Sequence, residues 1–193
     1  MTTQTKIPRV VSEELPSNPF SFEVLALASK QKSNAKKVEV LQKYADPSLK
    51  TILIWNFDES IISMLPEGLV PYASVGQQNV RSGNLSDNIS RAVEMMSDLE
   101  SNSIGSQDQG RTSIRKEYTY FYNFVKGGND RLSSMKRETM FISILEGLHP
   151  LEAEILMLVK DKKLQTKYNI TKQNVSDGGE TGNKILNNKV SKK

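Results

Sequence analysis

Apolar positions along the chain recur at the three-to-four spacing of helices, in short runs cut by proline, glycine and polar stretches. From Phe20, the residues Phe22, Val24, Leu25, Leu27 and Ala28 share one face, so a helix is predicted to begin near Pro19 and stop before Ser29 to Asn34. Ser33 or Asn34 can cap a second helix, with Ala35, Val38, Leu41 and Ala45 inward and Lys36, Lys37 and Lys43 outward. That helix stops at Asp46-Pro47, because the residue before proline avoids helical backbone angles. The same pair starts a third helix, with Asp46 as cap, Pro47 in the first turn and Leu49, Ile52, Leu53, Trp55, Asn56 and Phe57 along it. This helix is expected to run on to Leu65 and end at Pro66, Gly68 and Pro71.

The character changes over 73–111, where Gly, Ser, Asn and Gln flank a stretch with Leu85, Ile89, Ala92, Val93, Met96 and Leu99 at helical spacing. An amphipathic helix between two loops is predicted there. Tyr118, Phe121, Tyr122 and Val125 then predict a helix ending at Gly127-Gly128, and Met135, Met140, Phe141, Ile144 and Leu145 another ending at Gly147. Pro150 opens a further helix through Leu151, Ile155, Leu156, Leu158 and Val159, with Lys160, Lys162 and Lys163 at its dipole-negative end. A short element from Thr171 closes the series. No run alternates in hydrophobicity as a strand would, so the expected fold is all-α, a compact bundle of about six to eight short helices. The expected organisation is a flexible polar arm over 1–17, a helical domain over 18–176 with the partly helical acidic insertion 73–111, and a basic disordered tail over 177–193.

Composition narrows the chemistry. The chain holds no Cys and one His, which excludes disulfides, thiolate metal sites and cysteine nucleophiles and removes most zinc and triad chemistry. No phosphate-cradling glycine loop of the P-loop type is present, and Gly127-Gly128 reads as a helix stop. His149 reads as a capping or surface residue. The carboxylates Glu152 and Glu154 read as solvated or dipole-stabilised groups at a helix start. No enzyme activity, metal or cofactor is expected. The first dozen residues lack the apolar core of a secretory signal and no window reaches the roughly 20 apolar residues of a span, so a soluble intracellular protein with no membrane partner is expected.

Charge supplies the positive signal. The net charge of +4 divides unevenly, with six Lys/Arg against three Asp/Glu over 20–50, two against eight over 51–110, and eleven against seven over 111–170. Two basic parts therefore flank an acidic middle, a distribution suited to a polyanion on one face. The candidate phosphate contacts are Lys30, Lys32, Lys36, Lys37, Lys136, Arg137, Lys160, Lys162, Lys163, Lys167 and Lys172. Lysine predominates over arginine among them, which favours backbone contact over bidentate reading of bases. Tyr118, Tyr120, Phe121 and Tyr122 offer stacking surfaces, although their helical spacing assigns most of them to the core.

Two segments carry a resemblance. Leu25 to Leu53, with Lys32-Ser33-Asn34-Ala35-Lys36-Lys37, Val38-Glu39-Val40-Leu41, the Asp46 break and Leu49 to Leu53, resembles the opening of the helical N-terminal DNA-binding domain of T-even-type phage ATP-dependent DNA ligases. Leu156 to Leu164, followed by Tyr168 to Val175, is similar to the helix end and short helix that close that domain. Leu41 through Gly68, and Lys136 through Lys163, also resemble a family of small uncharacterised proteins of T-even-type cyanophages and other marine tailed phages.

The departures are specific. Where such a ligase carries its adenylated lysine ahead of Asp-Gly, this chain has Val175 before Asp177-Gly178, so ligation by this chain is excluded. Lys162-Lys163 stands where the ligase domain has Cys-Gly. The resemblance thus implies a non-enzymatic phage accessory protein, acting in the cytoplasm of an infected bacterial host and binding double-stranded or nicked DNA without sequence preference. The alternative expectation is a protein–protein adaptor of phage replication, transcription or virion assembly, offering Leu85 to Leu99 to a phage partner.

Overall fold

The computed structural model describes residues 14–70, 84–98 and 110–176. The expectations for most of the arm, for the flanks of the insertion and for the tail lie outside these residues. The described chain is all-α: α1 (Ser21–Lys30), α2 (Asn34–Lys43), α3 (Pro47–Phe57), α4 (Leu85–Asp98), α5 (Ile114–Glu117), a 3-10 helix (Tyr118–Phe124), α6 (Ser134–Gly147), α7 (Pro150–Lys160), α8 (Leu164–Lys167) and α9 (Lys172–Ser176). Among the described residues there is no sheet. One isolated antiparallel bridge joins Ser63 to Val125, with Met64 N–H donating to the Phe124 carbonyl at 2.8 Å and Lys126 N–H to that of Ile62 at 2.9 Å.

The helix starts follow from their caps. Asp46 Oδ1 accepts from Leu49 N–H at 2.7 Å with Pro47 in the first turn of α3, and His149 Nδ1 accepts from Leu151 N–H at 3.1 Å with Pro150 in the first turn of α7. One expected boundary and one expected helix type are corrected. α3 stops at Phe57 rather than Leu65, because Asp58 turns extended and its Oδ1 takes the Ser60 N–H and hydroxyl in a local turn that competes with the helix. The helix expected through Tyr118 to Val125 tightens into the 3-10 form, which turns Phe121 and Phe124 inward and leaves Tyr120 and Tyr122 exposed.

Buried α7 is the hub. α3, α1 and α6 pack against it, α5 and the 3-10 helix pack on α3, and α9 lies on α2. Trp55, Phe121, Phe124 and Phe141 form an aromatic cluster with neighbouring ring centroids 5.3–6.2 Å apart. α4 also belongs to this core: Leu85, Ile89 and Val93 are buried and the helix packs along α7. The insertion helix is therefore a structural member of the bundle, and Asp87, Ser90, Arg91 and Glu94 are its exposed residues among those described. Met135, expected inward, is 78% exposed at the entrance of α6.

Candidate nucleic-acid interface

Each basic side chain faces a choice set by its surroundings. A lysine close to unpaired backbone carbonyls can be held inside by them, whereas one with only water beside it stays out. The structure divides the eleven candidates on this basis. Four are buried and occupied, which corrects their assignment as phosphate contacts. Lys37 Nζ donates to the Asn169 carbonyl at 2.7 Å, fastening α2 to the segment before α9. Arg137 spreads its guanidinium over three carbonyls, those of Asn123 at 2.7 Å and of Asn129 and Leu132 at 3.0 Å, and so holds the loop that precedes α6. Lys160 Nζ donates to the carbonyls of Pro66 at 2.8 Å and Gly68 at 2.9 Å and to Asp161 Oδ1 at 2.6 Å. Lys167 pairs with Glu154 inside the bundle, so Glu154 is the counter-ion of a buried lysine and not a solvated helix-start charge.

The other candidates reach the surface. Lys30, Lys32, Lys36, Lys136, Lys163 and Lys172 are exposed, and Lys162 is half-buried. Lys162 occupies an unusual backbone position, with φ of 57° just past the end of α7. Its N–H donates to the Val159 carbonyl at 3.0 Å and that of Lys163 to the Leu158 carbonyl at 2.8 Å, a closing pair of bonds usually built on a glycine. This turn sets Lys162 and Lys163 at the corner between α7 and α8. Lys162 Nζ donates to the Asp58 carbonyl at 2.6 Å, and Lys172 Nζ bonds Glu59 Oε1 at 2.7 Å, so both side chains come to the end of α3. The Lys37–Asn169 bond brings the start of α2, with exposed Lys36, beside the same stretch of chain. Lys162 and Lys172 are thereby brought together at the end of α3, exposed Lys163 follows Lys162 on the same turn, and exposed Lys36 precedes the Lys37 that is fastened to Asn169. Lys136 sits at the entrance of α6 beside the loop that Arg137 holds.

The face is not purely basic. Hydrogen bonds from Ser60 lower the Asp58 carboxyl below its ordinary range, with further help from Lys162 and Lys172; the bond to Lys172 does the same for Glu59. Both carboxylates are charged at neutral pH and answer part of the lysine charge.

Sequence reasoning missed the most unusual carboxylate, Glu152. It is 1% exposed, and its two oxygens accept from Ile114 N–H at 2.9 Å and Ser21 N–H at 3.4 Å, the first residues of α5 and α1. Burial pushes its pKa to about 7, against those hydrogen bonds and the nearby Arg115, which lower it. The only sequence signal is its place in the first turn of α7, which many exposed glutamates share. His149 caps α7 as expected, but it is buried, with its ring 5.1 Å from that of Phe22. Among the described residues no group of three His, Asp or Glu side chains is arranged to hold a metal ion, and no helix is long and apolar enough to cross a membrane.

Residues 24–96 and 99–166 match a protein family described as "Family of unknown function (DUF6433)". No curated protein and no solved structure matches the chain.

Proposed function

We propose, for a chain that belongs to the family of unknown function DUF6433, a non-enzymatic role in binding DNA through its phosphate backbone, as an accessory protein of a tailed phage. The observation that carries this reading is the meeting of Lys162 and Lys172 at the end of α3 after the buried cations have been set aside, with Lys163 exposed next to Lys162 and Lys36 exposed at the start of α2. Lys30 and Lys32, exposed at the turn between α1 and α2, extend the set. The resemblance of residues 25–53 and 156–175 to a ligase DNA-binding domain supports it from the sequence, since those stretches supply all of these lysines. Ammonium groups on flexible stems, without a fixed arginine fork, suit contacts that position a duplex without reading it.

The test is fluorescence anisotropy with labelled intact, nicked and single-stranded DNA over a salt series. Wild type is expected to bind with a steep salt dependence, each neutralised phosphate adding about −0.9 to the log–log slope on duplex DNA. Lys36→Glu with Lys163→Glu is expected to weaken binding and flatten that slope. Absence of binding at low salt, or an unchanged slope in the double variant, overturns the reading.

A second reading, a protein–protein adaptor, is favoured by exposed apolar side chains. Leu69 is 69% and Met135 78% exposed, with Ile62, Tyr120 and Tyr122 each about half exposed. These residues, and not α4, whose Leu85, Ile89 and Val93 are buried where it packs on α7, are where such a partner would sit. Loss of partner binding in Leu69→Asp with Met135→Asp, with DNA affinity intact, is the outcome that reading expects.

A further inference from the structure

A groove runs between α2, α3 and α9, independent of the lysine surface in its chemistry. Leu41, Ala45, Leu53 and Val175 give it an apolar lining, and Gln42 and Asn174 also line it. Asn174 is 3% exposed and divided in its bonding. Its Oδ1 accepts from the Thr171 N–H and hydroxyl, both at 3.0 Å, and so caps the first turn of α9. That duty fixes which way the amide points. The Nδ2 group is buried and finds no acceptor among the described residues. A buried donor left unmade is costly, and an apolar groove beside one fits a ligand with aliphatic side chains and a free carbonyl oxygen. An extended peptide segment has both.

We propose that the occupant is the N-terminal arm of this same chain, with Val10 or Val11, whose side chains alternate in extended chain, against the apolar lining and a main-chain carbonyl of the arm accepting from Asn174 Nδ2. The arm is already led to the groove. Glu14 pairs with Lys43 at 3.3 Å, and Leu15 N–H donates to the Tyr44 hydroxyl at 3.1 Å. Lys43 and Tyr44 stand between Gln42 and Ala45, both of which line the groove. Val11 and Val10 precede Glu14 by three and four residues, a reach of roughly 10–14 Å for extended chain, comparable with the diameter of the helix to be crossed. They are a lone valine pair in a mostly polar stretch. The tail after Ser176 is the less economical source, since Gly178, Gly179 and Gly182 lie in the linker before Ile185 and Leu186 and lengthen the loop to be closed.

Methyl–methyl nuclear Overhauser contacts in the full chain, labelled at Ile, Leu and Val methyls, test the assignment. The expected result is contacts from Val10 or Val11 to Leu41, Leu53 or Val175, lost in Val10→Asp with Val11→Asp while backbone shifts elsewhere stay in place. In that variant the Asn174 side-chain amide proton resonances are also expected to move. Asn174→Asp, which keeps the cap acceptor and removes the donor, is expected to weaken the same contacts. Contacts from Ile185, Leu186 or Val190 in their place, contacts seen only between differently labelled molecules in a mixed sample, or no contacts into the groove would each overturn the proposal.

Discussion

Glu152 holds a carboxylate where water is scarce and two helix starts converge, and the balance between these makes it a proton-sensitive residue. Its pKa of about 7 in the folded protein stands above the ordinary 4.5 it regains on unfolding. The protonated form is therefore the one folding prefers. The stability it confers is complete below pH 4.5 and is lost as pH rises through about 7, an effect of about 3 kcal/mol in all. Urea unfolding at pH 5 and pH 8 should show the wild type losing stability over that interval. Glu152→Gln should flatten the loss while lowering stability at both pH values, since an amide nitrogen cannot accept the N–H that one carboxylate oxygen takes. Equal pH dependence in the two proteins would contradict this. Lys162 offers a second check at the same scale. Its left-handed backbone strains a side-chain-bearing residue by roughly 1 kcal/mol, so Lys162→Gly should raise the melting temperature slightly, offset by the bond to the Asp58 carbonyl.

Between elements, α4 is the informative case. Its apolar spacing was legible in the sequence, because Leu85, Ile89 and Val93 repeat with the helical period. Its role was not, since an amphipathic helix between polar flanks reads the same whether its apolar face meets its own core or a partner. The structure sets that face on α7, so Ile89→Ala should cost about 2–5 kcal/mol in denaturant unfolding. A helix reserved for a partner would lose almost nothing. Caps were legible for a related reason: Asp46-Pro47 and His149-Pro150 act within a few residues, and local chemistry leaves local signals. The Glu154–Lys167 pair has no such signal, because α7 and α8 meet only after the chain turns at Lys162. Removing one partner, as in Lys167→Met, should leave a buried charge and cost about 3–5 kcal/mol, measured by the same unfolding transition.

Across the whole molecule, the basic composition was readable and the basic surface was not. Lys36 and Lys37 are neighbours in sequence, yet one is exposed and the other is held by the carbonyl of Asn169, whose approach depends on the entire fold. Nothing local marks Glu59 as the counter-ion of Lys172, which reaches it from 113 residues further along the chain. If that surface binds DNA, Glu59→Gln should release Lys172, strengthen binding and steepen the salt slope by up to about 0.9, read from the anisotropy titration. The bonds that assemble the bundle have one further implication, which concerns time. Ser21 meets Glu152 across 131 residues and Lys37 meets Asn169 across 132. During synthesis α1 and α2 can pack on each other, but the faces they turn to α7 and α9 must wait until most of the bundle has left the ribosome. Nascent chains of this protein therefore keep part of the apolar surface of α1 and α2 in water for most of their synthesis. A fragment stopped before α7 should show helical circular dichroism without a cooperative unfolding transition.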